Sequence, residues 1–520
     1  MKNAIKVLIW TYIVLLIFEG SFRKWFLPSL ADPILIVRDP VLLVIYALAL
    51  SAGIFPTNRF IVAIAALALL STAAFVLAGN EHYLVLAYGL RVNYLHLPLI
   101  WIMGRVLDVR DVGRMGAFLL VVAIPMTLVM ILQFRAPMDA FINRGVNKDE
   151  IGQIFGADGR IRPPGFFSFI TGPQLFFPLC AAFFFDAIAG AKRLPWYVLI
   201  ASGLAIAIAL PISISRTVML STGIVAGVFL ITLPFTSARV SSLVRPIFLL
   251  LLVVAGLSQL PIFRESIGVF MIRWDTAAGS EGPDGAWDSI VERSMGGFLT
   301  PYHFMKEAPF FGHGIGMGSN VGARLTSGEV GFTLAEEEWG KVILELGPVL
   351  GPAFILFRFV LMMWLGLKAW RALREHRQAL PILIFSATAI IVLQGQWAPP
   401  TVLGFCVVGA GLLLGALNPA PANPGTIGAG NPAVPAYTEP PGRTRVPFPS
   451  DRRPPVVLRP PQSTGAPRIQ RDRDGGKINR PANLISAASA RLEKVLRLVV
   501  EPGGTLSSPG ACSALTPETR

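Results

Sequence analysis

The chain reads as an all-α polytopic membrane helix bundle of about 12 transmembrane helices, with one large external loop and a disordered C-terminal tail. Three observations predict this. Of 520 residues, 53% are hydrophobic and the mean hydropathy is +0.61, far above soluble domains. Apolar runs of about 20 residues recur from residue 4 to residue 417. From Asn418 the composition turns to Pro, Gly, Ala and Arg with few large apolar residues, which cannot bury enough surface to fold.

The runs fall at 4–20, 34–54, 59–79, 83–103, 113–133, 167–189, 195–213, 217–235, 245–262, 341–364, 380–396 and 400–417. The first follows Lys2 and Lys6 and is succeeded by Phe22-Arg-Lys-Trp25 rather than small residues, so it reads as an uncleaved membrane helix, not a signal peptide. Basic residues set the orientation: Lys192/Arg193, Arg239/Arg245, Arg105/Arg110/Arg114 and the Lys368–Arg377 cluster share one side with Lys2, Lys6 and the tail. The positive-inside rule makes that side cytoplasmic and puts both termini inside. Loops 134–166 and 263–340 are then external, within a membrane domain of residues 1–417 and ahead of a cytoplasmic tail, 418–520. Residues 482–499 could form a short basic amphipathic helix on anionic lipid, or a nascent helix with no partner.

The formal charge of +14 does not imply nucleic acid. The tail holds 14 Lys/Arg and 7 Asp/Glu, so it supplies +7, and the other +7 is spread over loops that orient a membrane protein. Cys180, Cys406 and Cys512 make no metal or disulfide pattern. Asp472-Arg-Asp474 lies in a low-complexity tract, and Gly312-His-Gly-Ile-Gly-Met-Gly318 lacks the Lys-Ser/Thr of a phosphate loop. His82, His96, His303 and His376 are isolated along the chain. No metal and no cofactor are expected.

Charges in or beside apolar spans carry the functional weight, because an arginine at mid-bilayer costs about 2.5–3.5 kcal/mol even on the lenient insertion scale. Arg216 sits in Ser213-Ile-Ser-Arg-Thr217 between two spans, Arg91 lies within the fourth, and Arg38-Asp39-Pro40 interrupts the second. Arg162 and Arg23 mark external span boundaries. Adjacent helical residues do not face each other, so Arg38 and Asp39 need separate partners. Each arginine either pairs internally, for example with Asp39, or faces an anion. Several external guanidiniums together suit a diphosphate, which accepts bidentate bonds. At the entry to the tenth span, Ala335-Glu-Glu-Glu-Trp-Gly-Lys-Val-Ile-Leu-Glu345 places Glu338, Lys341 and Glu345 on one helical face. A carboxylate there is a candidate general base on a sugar hydroxyl, the alternative being solvated first-turn acids.

The span pattern, the single large late loop, the Ser215-Arg-Thr217 turn, Pro309-Phe-Phe-Gly-His-Gly-Ile-Gly316 and Glu338-Trp-Gly-Lys-Val-Ile-Leu-Glu-Leu-Gly347 resemble the bacterial O-antigen ligase/polymerase family. The resemblance covers residues 1–417. It implies a metal-independent membrane glycosyltransferase of the bacterial inner membrane, using polyprenyl-diphosphate-linked glycans on the external face. Arg216 would match the family's diphosphate-binding turn arginine. The ligases' histidine near the loop's end is absent here, where Ala335-Glu-Glu-Glu338 stands, which leaves the base open among Glu336, Glu337 and Glu338 and favours a polysaccharide polymerase over a lipid A-core ligase.

The expected function is therefore external glycosyl transfer that extends a polysaccharide carried on undecaprenyl diphosphate. Arg216, Arg91, Arg38 and Arg162 would bind the diphosphate, Glu338 first among the three acids would be the base, and His313 and Arg273 would serve the acceptor or its loop. Expected partners are the lipid-linked oligosaccharide, membrane lipid and polysaccharide export or chain-length-control proteins, with no nucleic acid. Two other classes remain open: a transporter or flippase of the lipid-linked glycan, and a non-catalytic membrane subunit of an export system.

Overall fold

The computed structural model describes residues 1–146, 155–157, 159–190, 194–236, 261–279, 302–326 and 337–420, with isolated positions at 256, 259, 328, 334 and 335. The tail beyond 420, including 482–499 and Asp472-Arg-Asp474, and nearly all of the apolar run 245–262 lie outside the described residues.

The chain is mostly helical. Among the described residues seven helical stretches are long and apolar enough to cross a membrane: Lys2–Phe26, Pro28–Ser51, Arg59–Leu77, Val109–Arg135, Thr171–Ile188, Arg216–Phe235 and Glu338–His376. Trp196–Ile212, Leu380–Gln394 and Pro400–Ala416 are apolar but shorter. Local chemistry sets the starts. Asn58 caps Arg59–Leu77 by accepting from the Ile61 N–H, and Asp108 forms a capping box with Asp111 at Val109–Arg135.

Pro400–Ala416 is the central helix. It is apolar on every side, and Val402 through Ala416 are all buried, as an all-round hydrophobic helix requires. It packs against Leu99–Val106, Val109–Arg135, Thr171–Ile188 and Leu380–Gln394. Large aliphatic residues such as Leu69, Leu84, Leu356 and Ile390 remain exposed on the bundle's outside, as lipid-facing positions would be.

Three interruptions shape the site. Lys2–Ser21 continues as a π turn, Phe22–Phe26, and the fourth apolar run is two eight-residue helices, Tyr83–Leu90 and Leu99–Val106, joined through a second π turn, Arg91–Leu95. Such turns are rare and concentrate at functional sites. Glu338–His376 breaks at Gly347, whose φ of +83° suits glycine and is followed by Pro348, so the buried stretch from Glu338 to Leu346 is a separate half-helix. The expected all-α fold gains one small exception in loop 134–166, an antiparallel pair between Phe155–Ala157 and Arg160–Ile161. The described parts of loop 263–340 include the helices Pro261–Gly279, 302–307 and Asn320–Thr326.

Candidate functional site: a cavity with two cations

A cavity of about 290 Å³ opens at the start of the central helix, walled by Pro399, Pro400 and Thr401. Among the described residues its lining contains two cations, Arg23 and Lys341, and no carboxylate. Ser168 and Thr171, Ser319 and Asn320, and Gln396 supply neutral polar groups. Thr171 and Pro400 are the first residues of their helices, so two helix N-termini add partial positive charge. Cations, helix N-termini and hydroxyls around a space without acids suit an oxyanion.

Arg23 lies in the π turn that continues the first helix, and lines the cavity. Its Nε donates to the Ala31 carbonyl at 2.8 Å and its Nη1 to Ser168 Oγ at 3.4 Å, with Glu19 at 3.8 Å. The segment 165–168 lies on this turn because Gly20 has no side chain: a Cβ there would sit 2.3 Å from the Ser168 nitrogen. Ser21 donates to the Phe166 carbonyl, and buried Lys24 donates to that of Gly165 at 2.9 Å.

Lys341 enters from the half-helix. Its Nζ donates to Glu338 Oε2 at 2.6 Å, and Glu338 Oε1 accepts from Arg358 Nη1 at 2.8 Å. Gly318 lets the lysine stem pass, since a Cβ would lie 2.5 Å from Lys341 Cγ, and its N–H donates to Glu345 Oε1 at 2.8 Å. Arg358 is wholly buried, donates to the carbonyls of Val392 and Gly395 at 2.9 and 2.7 Å, and stacks 4.0 Å from the Trp397 ring centre.

The arginines expected to grip a diphosphate are distributed differently. Arg38 is buried and bonded on every nitrogen: Nε to Glu19 at 3.1 Å, Nη1 to the Tyr12 hydroxyl at 3.4 Å and Nη2 to the Pro400 carbonyl at 2.6 Å. Arg91 forms a bidentate pair with Asp39, and its Nη2 also donates to the Leu35 carbonyl at 3.2 Å. His96 bridges these two, with Nε2 at 3.1 Å from Asp39 and Nδ1 at 2.9 Å from Tyr12. Since the carboxylate only accepts, Nε2 carries the proton and Nδ1 accepts from the hydroxyl in the neutral ring. Neither Arg38 nor Arg91 lines the cavity; they stand behind its wall.

Arg216 is half-buried at the first residue of Arg216–Thr232, after Ile214, which has a positive φ of 46° that a β-branched residue rarely adopts. Gln174, one turn into the helix that begins at the cavity, donates to Ser215 Oγ at 3.1 Å, but Arg216 is not in the lining. Arg162 is half-buried and also outside it.

Among the three acids, Glu336 lies outside the described residues. Glu337 is exposed at the N-cap of the half-helix, and its carbonyl accepts from the Lys341 N–H at 2.9 Å. Glu338, expected first as a base, is buried with both oxygens taken by cations, so it holds Lys341 rather than facing a hydroxyl. His313 is exposed and lines a second cavity, about 250 Å³, with Asn80, Phe310 and Phe311. The Arg273 backbone lies in Pro261–Gly279, and its side chain is outside the described residues. Among the described residues, no group of three or more His, Cys, Asp or Glu could hold a metal ion.

Sequence reasoning passed over Glu19, Arg358 and the partnership of His96. Arg358 had a readable signal, a lone arginine within Phe357-Arg-Phe359 of an apolar run. The chain matches no protein-family model and no curated protein.

Proposed function

We propose that this protein is a polytopic membrane glycosyltransferase that binds a polyprenyl-diphosphate-linked glycan and transfers the glycan to a sugar hydroxyl, extending a polysaccharide. The observation that carries the reading is the cavity in which Arg23 and Lys341 meet helix N-termini, with no carboxylate among the described lining residues. In this reading the termini are cytoplasmic, the spans number about twelve, and the cavity with loops 134–166 and 263–340 faces the external side of a bacterial inner membrane.

Arg23 and Lys341 hold the diphosphate and stabilise the charge that develops on it as the bond to the sugar breaks. Preorganised charges of this kind are often the largest catalytic contribution. The acceptor hydroxyl attacks the anomeric carbon, the carbon–oxygen bond to the diphosphate breaks, and carrier diphosphate leaves. Of the three candidate acids, Glu337, exposed one turn before Lys341 and outside the cavity lining, is the described one whose carboxylate is not held by cations, and is assigned to take the hydroxyl proton. Arg38, Arg91 and Glu338 act from behind the wall rather than on substrate.

Reconstitution with a synthetic polyprenyl-diphosphate oligosaccharide tests this. A ladder of longer glycans with release of carrier diphosphate, abolished in Arg23→Met and Lys341→Met, is expected. Intact substrate carried across the bilayer without bond cleavage would replace the reading with transport.

A further inference from the structure

We propose that the cavity is a two-cation clamp in which Arg23 and Lys341 each take one phosphoryl group of a diphosphate, and that the buried pairs Glu19–Arg38 and Glu338–Arg358 are the positioning residues that aim them. The identity of the anion rests on the lipid-diphosphate reading above; the geometry does not.

The two cations are delivered by triads of the same design. In each, a buried glutamate lies between a buried arginine and the cation in the cavity lining. Glu19 is 3.1 Å from Arg38 and 3.8 Å from Arg23. Glu338 is 2.8 Å from Arg358 and 2.6 Å from Lys341. The triads come from different parts of the chain, so their likeness is not a sequence repeat.

Both buried arginines also hold the same wall. Arg358 donates to the Gly395 carbonyl at 2.7 Å and Arg38 to the Pro400 carbonyl at 2.6 Å, the two ends of a strap whose Gln396, Ala398, Pro399 and Pro400 line the cavity. The groups that aim the cations thus also fix the surface they face, and such supporting contacts preserve ligand geometry.

One carboxylate between two cations leaves each triad with one net positive charge, and Glu345, whose Oε1 is held by the Gly318 N–H, lies within electrostatic reach of Lys341 and moderates the second of the two. A sugar-linked lipid diphosphate carries one negative charge on each phosphoryl group, whereas the monophosphate counterpart offers only one. Lys341 has three donors and gives one to Glu338, so the ammonium retains capacity for an oxyanion.

The full chain in nanodiscs is titrated with farnesyl-diphospho-glucose and farnesyl-phospho-glucose. The wild type is expected to bind the diphosphate about tenfold more tightly, the scale of one added charge-assisted contact. Lys341→Met or Arg23→Met should erase that preference. Removing one member of a buried pair can unfold a protein, whereas replacing both with apolar residues is often tolerated. The pairs are therefore replaced whole, as Glu338→Met/Arg358→Met and Glu19→Met/Arg38→Met, with Glu338→Gln and Glu19→Gln as shape-preserving counterparts. Each should weaken diphosphate binding about tenfold; the Gln variants, which keep the arginine's hold on the strap, should cost nothing further on Lys341→Met or Arg23→Met respectively, because they act through that cation.

Additive losses in these cycles, or unchanged binding by every pair and Gln variant, overturn the positioning role. Equal wild-type affinity for the two probes overturns the two-cation clamp. The lipid-diphosphate reading fails separately, if neither probe binds or if Arg23→Met and Lys341→Met bind both as the wild type does.

Discussion

The two triads share a plan and differ in how firmly each holds its cation. Arg23 is tied to a backbone carbonyl at 2.8 Å, a serine hydroxyl at 3.4 Å and Glu19 at 3.8 Å. Lys341 has one short side-chain contact, with Glu338 at 2.6 Å. Arginine's planar fork permits the several fixed bonds; an ammonium on a flexible stem depends on the one carboxylate it bonds, Glu338. The supports differ in the opposite sense. Arg38 belongs to a side-chain network running through Tyr12, His96 and Asp39 to Arg91, whereas Arg358 is anchored to backbone carbonyls and Trp397. Arg23 is therefore aimed by local bonds, and Lys341 by the fold of a distant helix end.

The largest effect that can break this comparison is loss of Arg358. Arg358→Ala leaves Glu338 buried beside one cation and takes from the Val392 and Gly395 carbonyls the donor that Arg358 supplies, and should cost about 3–5 kcal/mol of stability by thermal unfolding in detergent. Arg38→Ala should cost less, since Arg38 serves a single carbonyl. The reverse order would mean that the side-chain network, not the backbone anchorage, is the stronger support.

Next come the glycines on which each triad is seated. Gly347→Ala places a Cβ 2.3 Å from the Phe310 carbonyl at a φ of +83°, and Gly20→Ala places one 2.3 Å from the Ser168 nitrogen. Overpacking of this kind costs about 1–3 kcal/mol, with the left-handed backbone putting Gly347 at the upper end. Gly20→Ala should disturb Arg23, and Gly347→Ala the half-helix that carries Lys341, so diphosphate-probe titration of both distinguishes the two walls. Equal stability of Gly347→Ala and the wild type contradicts the break as a required feature.

The smallest effect is a control away from both triads. Burial alone would raise the Asp108 carboxyl, but the N–H groups of Asp111 and Arg110 and nearby Lys6 outweigh it and lower its pKa. A lowered folded-state pKa stabilises above the ordinary aspartate range, about 3.9, and that contribution fades as pH falls through the folded value. Asp108→Ala should cost about 1 kcal/mol near neutrality and less as the pH drops below that range, with probe affinity unchanged. A cost that does not shrink in acid means that the cap does not act through its charge.

Much of the bundle was legible in the sequence. Every apolar run except 245–262, most of which lies outside the described residues, coincides with helix, because backbone groups among apolar side chains must satisfy one another. The interruptions were less visible. Gly347-Pro348 is a readable breaker, but nothing local marks Phe22–Phe26 or Arg91–Leu95 as π turns; segments 166–168 and 315–316 pack against Gly20 and Gly89 just before them, an approach that only the fold creates. The adjacency of Arg38 and Asp39 required two partners, yet could not name Glu19 and Arg91.

The sequence by itself determined that this is a helical, membrane-type chain whose few charges among apolar residues matter, because the cost of burying a charge depends on its neighbours in the chain. Only the tertiary structure decided which charges are spent on one another. Arg38, Arg91 and Glu338 are engaged within the protein, while Arg23 and Lys341 line the cavity. Pairing depends on distances of about 3 Å between residues up to hundreds of positions apart, and such distances exist only once the helices pack.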